Sequence, residues 1–184
     1  NDKFELQYMV DAISTNKTSF FREYRHFEYI LEHLPLNQFD DKGNDKVRVW
    51  STACSTGEEV YSAAITLNNR FGHLFDKKNI ELLGTDISSS CIVKARAALY
   101  TLEDIKNISL DNKKKYFLRG KNDFEGTVKV KPGIKSFCQF GQLNLMDSSY
   151  SKVQNADIIF CRNVLIYYSR EVQKQVLSKI CDKM

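Results

Sequence analysis

Apolar residues recur along this chain at two spacings, which predict strands and helices in alternation. Short apolar runs rich in branched and aromatic side chains predict four strands, at 47–53, 80–86, 140–145 and 156–161. Helical spacing predicts a helix over 58–69, another from a Ser88 cap through Leu99, and a last one that Ser169 caps. The predicted inward positions of the last two helices are Ile92, Ala95, Leu99, Val172, Val176 and Ile180. Strands that alternate with helices indicate a parallel sheet with helices on its faces, so the predicted fold class is α/β.

The chain begins with a segment of different character. Residues 1–35 predict helix as far as Pro35, with a buried face formed by Phe20, Phe21, Tyr24 and Phe27. Residues 37–46 are polar and predict a loop. We therefore predict a helical N-terminal segment and linker over 1–36 and a main α/β domain over 37–184.

A stretch at about 117–140 departs from the alternation of strands and helices. Gly120 and Gly126 flank a polar loop, residues 127–131 alternate between apolar and polar, and Pro132-Gly133 predicts a turn. Alternation beside turn residues predicts antiparallel strands with one exposed face. We expect a small β-hairpin inserted in the parallel core, with an edge that could receive a peptide.

Composition narrows the class of protein without naming a function. The 184 residues are 42% hydrophobic and 27% charged, which excludes a collagen-like or wholly disordered chain. No stretch approaches the roughly 20 apolar residues of a membrane span, and the first residues lack the basic and then apolar layout expected of a signal peptide. The net charge of +4 does not by itself indicate nucleic acid binding. Five scattered cysteines without zinc-ligand spacing predict a reduced chain with buried thiols and no metal.

Polar side chains follow the predicted strands where a ligand would collect in an open α/β sheet. The small residues of 50–59 join a strand to a helix, either as a ligand-binding turn or as a turn without a ligand. Asp86 ends the next strand, where an acid can accept hydrogen bonds from the two hydroxyls of a ribose or can cap the following helix. Asn144, followed by Leu145, could read an adenine edge or serve only as a turn residue.

Two further segments carry candidate residues. Arg162 and Asn163 come directly after a buried strand, where a charge is costly unless it is paired or solvated. Asn16-Lys17-Thr18-Ser19-Phe20-Phe21-Arg22 places a helix-capping Thr beside an Arg, either for a ligand or as an ordinary cap. No Walker A loop, G-x-S-x-G elbow or H-E-x-x-H occurs, so kinase, hydrolase and zincin chemistry lack support.

Taken in order, these segments resemble one enzyme family. Asn-x-Thr-x-Phe-Phe-Arg, Trp-Ser-x-Ala-x-Ser-x-Gly-Glu-Glu-x-Tyr-Ser, Thr-Asp-Ile, Asn-Leu and Phe-Cys-Arg-Asn-Val-x-Ile-Tyr resemble the chemotaxis receptor methyltransferases, the CheR family, over about 16–180. The resemblance implies a Rossmann-like class I methyltransferase sheet, a helical N-terminal part and a three-stranded antiparallel insertion that docks on the receptor. It also implies transfer of a methyl group from S-adenosylmethionine to glutamate side chains of chemoreceptors in the cytoplasm.

The resemblance also implies roles for individual residues. It implies Asp86 as the ribose ligand, Arg22 as the partner of the cofactor's carboxylate, and Arg162 and Tyr167 as the groups nearest the reactive methyl. The full implied cofactor set is Asn16, Thr18, Arg22, Glu58, Asp86, Asn144, Leu145, Arg162 and Asn163. Thr52 stands where Ala is usual and Val60 where Pro is usual.

The resemblance leaves two alternatives and one departure. A non-catalytic module that binds cofactor or receptor would be expected to lack Arg22, Asp86 or the Arg162-Asn163 pair, and all are present. A nucleic-acid methyltransferase often carries Asn/Asp-Pro-Pro-aromatic after its fourth strand, where this chain reads 163–166 without Pro. The family pattern continues with three more strands, so we expect a domain truncated at its C-terminal end.

Overall fold

The computed structural model describes residues 16–33, 46–76 and 79–184, together with the helical positions 5, 9 and 11. The predicted loop at 37–46 lies outside these residues except for Lys46, as does most of the predicted helix before residue 16. The helices are α1 (Arg25–His33), α2 (Glu58–Arg70), α3 (Gly72–Asp76), α4 (Ser89–Ala97), α5 (Leu110–Tyr116), α6 (Pro132–Lys135) and α7 (Arg170–Cys181). The strands are β1 (Val47–Ser51), β2 (Ile80–Asp86), β3 (Leu99–Thr101), β4 (Phe117–Arg119), β5 (Thr127–Val130), β6 (Cys138–Gln142) and β7 (Ile158–Phe160).

Four strands form the predicted parallel sheet, in the order β6-β2-β1-β7. β2 has its predicted bounds, whereas β6 begins two residues before the predicted strand and ends at Gln142. Neighbouring residues of β1 point to opposite faces: Val49 belongs to one core cluster with α2, and Trp50 to a second cluster with Val176 and Ile180 of α7. The sheet is therefore covered on both faces, and the predicted fold class is confirmed.

Serine caps begin two helices where the sequence predicts them. Ser88 accepts a hydrogen bond from the Cys91 N–H, and Ser169 accepts one from the Val172 N–H. The predicted extent of the first of these helices is wrong at its other end. Ala98 takes a left-handed φ of 58° that ends α4, so Leu99 begins β3 and is 46% exposed instead of facing inward.

The antiparallel insertion has three strands, in the order β3-β5-β4. It therefore extends from Leu99 to Val130, and the predicted bounds of 117–140 need correction at both ends. The predicted turn at Pro132-Gly133 is the first turn of the short helix α6, which does not join two strands of the insertion but leads back to β6 of the parallel sheet. We call residues 99–130 the β-subdomain.

The N-terminal aromatic segment is not the predicted continuous helix. Residues 20–24 form turns, in which Phe21 and Glu23 have left-handed φ angles of 55° and 53°. Phe20 and Phe27 are buried as predicted, whereas Tyr24 is 50% exposed. The Phe20 ring meets the rings of Tyr100 and Phe117 edge-on, with centroids 4.9 and 5.4 Å away, and so anchors this segment on the β-subdomain.

The remaining expectations concern thiols, metals and membranes. All five cysteines lie in the described residues without disulfide bonds, and Cys181 is exposed, contrary to the expectation of buried thiols. No group of three or more metal-ligating side chains occurs among the described residues. In the same part of the chain, no helix has both the length and the apolar character to cross a membrane.

Candidate active site

A cavity of about 420 Å³ opens beyond the carboxyl ends of the parallel strands. Five stretches of chain converge on it: residues 16–22 above, the turn after β1, the end of β2, the residues after β6 and the residues after β7. Nine of the ten residues implied by the resemblance line it, namely Asn16, Thr18, Arg22, Asp86, Asn144, Leu145, Arg162, Asn163 and Tyr167. Such a volume suits a small-molecule ligand of nucleoside size.

Asp86 is fixed at the bottom of the cavity by backbone donors. Its Oδ2 accepts from the Ser55 N–H at 2.7 Å, and its Oδ1 accepts from the Ser88 N–H at 3.0 Å. Burial raises the pKa of Asp86, while these backbone hydrogen bonds oppose the rise. The carboxylate thus supports the start of α4 and also lines the cavity, so the two interpretations of Asp86 from the sequence are compatible.

The structure does not bring Glu58 into the cavity. Glu58 is buried away from it, where the Thr56 hydroxyl donates to its carboxylate at 2.6 Å and burial raises its pKa. Its neighbour Glu59 lines the cavity instead: it accepts from the Ser51 hydroxyl at 2.8 Å and from Arg162 Nη1 at 2.9 Å. Adjacent helical residues point about 100° apart, and therefore only one of the two can face the ligand.

Arg162 joins three parts of the site. Its guanidinium donates to Glu59, to the backbone oxygen of Arg22 at 2.6 Å and to Glu23 Oε2 at 3.2 Å. Its side chain is only 10% exposed, and its Nε is buried without a hydrogen-bond partner among the described residues. Both terminal nitrogens are therefore engaged by the protein, which leaves little of this cation to orient a third carboxylate.

The segment 16–22 crosses the cavity and is tied down on both sides. The Ser55 hydroxyl donates to the Asn16 backbone oxygen at 3.0 Å, and the Phe21 N–H donates to the Ser62 hydroxyl at 2.9 Å. Within the segment, Arg22 Nη1 donates to the Lys17 backbone oxygen at 2.9 Å. These contacts hold the side chains of Asn16, Thr18 and Arg22 on the cavity wall.

The remaining wall combines amide, apolar and phenolic groups. Asn144 Oδ1 accepts from the Met146 N–H at 2.9 Å, so this residue makes a turn as well as lining the cavity. Leu145 is buried beside it. Tyr167, which is 60% exposed, and Tyr168, whose pKa burial raises, stand at the rim.

Reasoning from the sequence missed three residues that this geometry uses. Glu59 shares the predicted turn with Glu58, and only the rotation of α2 distinguishes them. Ser55 lay inside the predicted turn but was given no role, although it binds both Asp86 and Asn16. Glu23 directly follows the segment 16–22. Its partners Arg162 and Asn163 are distant in sequence, and therefore no local pattern could indicate the contact.

Comparison with known proteins identifies the family. The model of the family described as "CheR methyltransferase, SAM binding domain" matches residues 16–184. The chain belongs to this CheR family, and the predicted resemblance is confirmed.

Two curated CheR relatives share more than a third of their aligned residues with this chain. A chemotaxis protein methyltransferase of Salmonella typhimurium is 36% identical over 175 residues, covering 95% of this chain and 58% of that protein. Chemotaxis protein methyltransferase 2 of Pseudomonas aeruginosa is 37% identical over 176 residues, covering 96% of this chain and 61% of that protein. The chain thus spans about three-fifths of the length of these relatives.

A solved structure supports the fold alone. The DszA carbon methyltransferase superposes with a TM-score of 0.50 at 12% sequence identity, over 85% of this chain and 32% of that one.

Proposed function

We propose that the protein is an S-adenosylmethionine-dependent methyltransferase that esterifies glutamate side chains of chemoreceptors in the cytoplasm. The observation that carries this proposal is the convergence of Asp86, Asn144 and Arg162 on one cavity beneath Arg22, in a chain of the CheR family. We also propose the domain division predicted from the sequence, with 1–36 preceding a methyltransferase domain over 37–184. The β-subdomain within it takes the corrected bounds 99–130.

The cavity offers a matching group for each part of the cofactor. Asp86 carries two acceptor oxygens at the end of β2, suited to the paired hydroxyls of a ribose. The turn uses Asn144 Oδ1, which leaves its amide nitrogen to donate to an adenine edge while Leu145 packs on the ring. We propose that Arg22 pairs with the carboxylate of the amino acid part, and that Glu59, which lines the cavity where Glu58 does not, faces the amino group.

The reaction requires alignment more than proton transfer. When bound, S-adenosylmethionine supplies an electrophilic methyl group on a sulfonium, and the carboxylate that accepts it is already ionised near pH 7. The protein therefore needs no strong general base, and alignment of the reactants can supply about 7–11 kcal/mol. Tyr167 is the exposed rim residue that we place beside the incoming glutamate. Arg162 acts by holding the Glu59 carboxylate, the backbone oxygen of Arg22 and the Glu23 carboxylate in place.

We propose that the receptor docks on the β-subdomain. On its outer face, Leu99, Lys129 and Leu118 are paired across the three strands and all exposed. β3 and β4 are the edge strands of this small sheet, and an extended peptide can add to such an edge.

Label transfer tests the proposed activity. The protein is incubated with methyl-labelled S-adenosylmethionine and a receptor cytoplasmic fragment, with RNA and DNA in parallel reactions. We expect label on the receptor that alkali releases, as it releases a methyl ester. Label on nucleic acid would favour the nucleic-acid methyltransferase, and cofactor binding without transfer to any of them would favour the non-catalytic module.

A further inference from the structure

Residues 16–23, which lie above the cavity and which we call the covering segment, have an unfavourable backbone conformation at their end. Phe21 and Glu23 have left-handed φ angles, and so does Asn163, at 56°, on the strand end that faces them. Non-glycine residues seldom adopt this region, and they hold it only where surrounding contacts require it. We therefore expect contacts between residues 21–23 and Asn163 to hold both stretches of backbone in this conformation.

Those contacts centre on the carboxylate of Glu23. Its Oε2 accepts from Arg162 Nη2 at 3.2 Å, and its Oε1 accepts from Asn163 Nδ2, also at 3.2 Å. Arg162 Nη2 donates at the same time to the backbone oxygen of Arg22 at 2.6 Å. Two consecutive residues after β7 thus hold two consecutive residues of the covering segment.

An arginine and a histidine also face Glu23. Arg22 Nε lies 3.8 Å from its Oε1, and His26 Nδ1 lies 3.4 Å from its Oε2. The backbone oxygen of Glu23 accepts from the His26 N–H at 3.0 Å, at the start of α1. Glu23 could therefore serve only the start of α1, and a test has to separate that role from one at the cavity.

We propose that Glu23 is a positioning residue for the cofactor, holding the covering segment across the cavity through Arg162 and Asn163. The inference rests on the proposed function. Glu23 itself is not part of the cavity wall, whereas Arg22, Arg162 and Asn163 are, so Glu23 acts through them. Arg162 holds the backbone of Arg22 and the carboxylate of Glu23 together, so the placement of Arg22 over the cavity depends on the contact between Glu23 and Arg162.

Removal of the carboxylate should weaken cofactor binding without unfolding the protein. Glu23 is 43% exposed, so solvent screens its ion pairs and limits their contribution to stability. Glu23→Ala removes both acceptor oxygens, and we expect the Kd for S-adenosylmethionine to rise about fivefold to tenfold. Glu23→Gln keeps one acceptor oxygen and loses the charge, and should give a smaller rise. At saturating cofactor, kcat should stay within about twofold of the wild type.

Calorimetry of S-adenosylmethionine binding tests the proposal. Glu23→Ala and Glu23→Gln are compared with the wild type and with matched controls at Glu28, an exposed acid five residues further along on α1. Melting temperature is recorded for every variant, and KM and kcat are measured with a receptor fragment. We expect only the Glu23 variants to raise Kd and the cofactor KM.

The outcomes separate this inference from the proposed function. If the wild type does not bind S-adenosylmethionine, the proposed function itself fails. If the wild type binds and the Glu23 variants bind equally well, only the role of Glu23 is overturned. If the Glu23 variants have a lower melting temperature and an unchanged Kd, Glu23 serves the start of α1 and the proposal is overturned. If the Glu28 controls lose as much affinity for S-adenosylmethionine as the Glu23 variants, the effect is one of general charge, and the proposal is overturned as well. If Glu23→Ala does not fold, Glu23→Gln decides.

Discussion

At the scale of single residues, Asp86 and Glu59 are the two acids that line the cavity among the described residues. The sequence singles out Asp86 at the end of β2 because an acid there can accept hydrogen bonds from a ribose or support the next helix, and Asp86 lines the cavity. The choice between Glu58 and Glu59 could not be made from the sequence, since both follow Gly57 on the first turn of α2. The rotation of that helix decides it, and the rotation depends on packing between elements that are distant in sequence.

Asp86→Ala should weaken binding of S-adenosylmethionine by about tenfold to a hundredfold, because a buried charged acceptor is lost. Calorimetry measures the change, with the exposed Asp111→Ala as the control. The substitution also leaves the Ser55 and Ser88 N–H groups without their acceptor, so folding is checked by circular dichroism and by the milder Asp86→Asn. Unchanged affinity in a folded variant would remove Asp86 from the site.

Glu58→Gln should stabilise the protein at pH 7. Burial raises the pKa of Glu58 above its ordinary 4.5, so the folded state favours the protonated form of this carboxyl. The raised pKa of Glu58 adds to the free energy of unfolding below pH 4.5, and this contribution is lost as the pH rises through the raised pKa. Glutamine stays neutral throughout and can still accept from Thr56.

Melting curves of the wild type and Glu58→Gln from about pH 4 to about pH 8 measure this effect. The melting temperatures should approach each other at the acid end and separate toward neutrality, with cofactor affinity unchanged. Glu59→Gln serves as the contrast, because it weakens the pair with Arg162 and should reduce affinity. A constant difference across the pH range would contradict the account of Glu58.

At the scale of elements, the sequence predicts where the helices α4 and α7 begin better than where α4 ends. The serine caps of α4 and α7 follow from a hydrogen bond that a short segment makes with itself, so they can be read locally. The end of α4 at Ala98 and the turns at 20–24 depend on left-handed residues that are not glycine. β3 is three residues long and exists because it pairs with β5, which lies beyond α5 and β4 along the chain.

The turn before α2 depends on a glycine. Gly57 has a φ of 96°, and a Cβ there would lie 2.9 Å from Ala95 Cβ and 3.2 Å from the Tyr100 hydroxyl. Gly57→Ala should therefore reduce the free energy of unfolding by about 2–4 kcal/mol, from backbone strain and crowding together. Urea unfolding measures it.

Gly133→Ala provides the matched control for this substitution. Gly133 lies in α6, where an added Cβ would have no neighbour within 4 Å, and alanine is favoured over glycine in a helix. We expect no loss, or a gain of about 0.5–1 kcal/mol. Equal effects of the two substitutions would contradict the role given to Gly57.

At the scale of the whole molecule, the shared direction of the parallel strands brings residues that are distant in sequence to one cavity. The carboxyl ends of parallel strands meet at one edge, and so residues at 86, 144 and 162 come together although long stretches of chain separate them. The extent of the β-subdomain could not be predicted in the same way, since its strands are short and its first strand directly follows a helix of the main domain.

The proposed docking face makes a prediction at this scale. Replacing both Leu99 and Leu118 with Ser should raise KM for the receptor about tenfold, because the exposed apolar pair that flanks Lys129 is lost. The kcat and the affinity for S-adenosylmethionine should be unchanged. Leu177→Ser is the control, since Leu177 is an exposed leucine, at 40%, on α7 outside the β-subdomain. An equal KM in the double variant would place the receptor elsewhere.

Tyr100 connects the floor and the covering of the cavity. Its hydroxyl donates to the Thr56 backbone oxygen at 2.7 Å in the turn below, and its ring supports Phe20 of the segment above. Both contacts come from β3, where the preceding residue, Leu99, belongs to the exposed outer face of the β-subdomain. A peptide that binds along β3 and restricts its motion would therefore also restrict the turn at Thr56 and the segment at Phe20. Binding of the peptide and binding of the cofactor would then strengthen each other by the same factor.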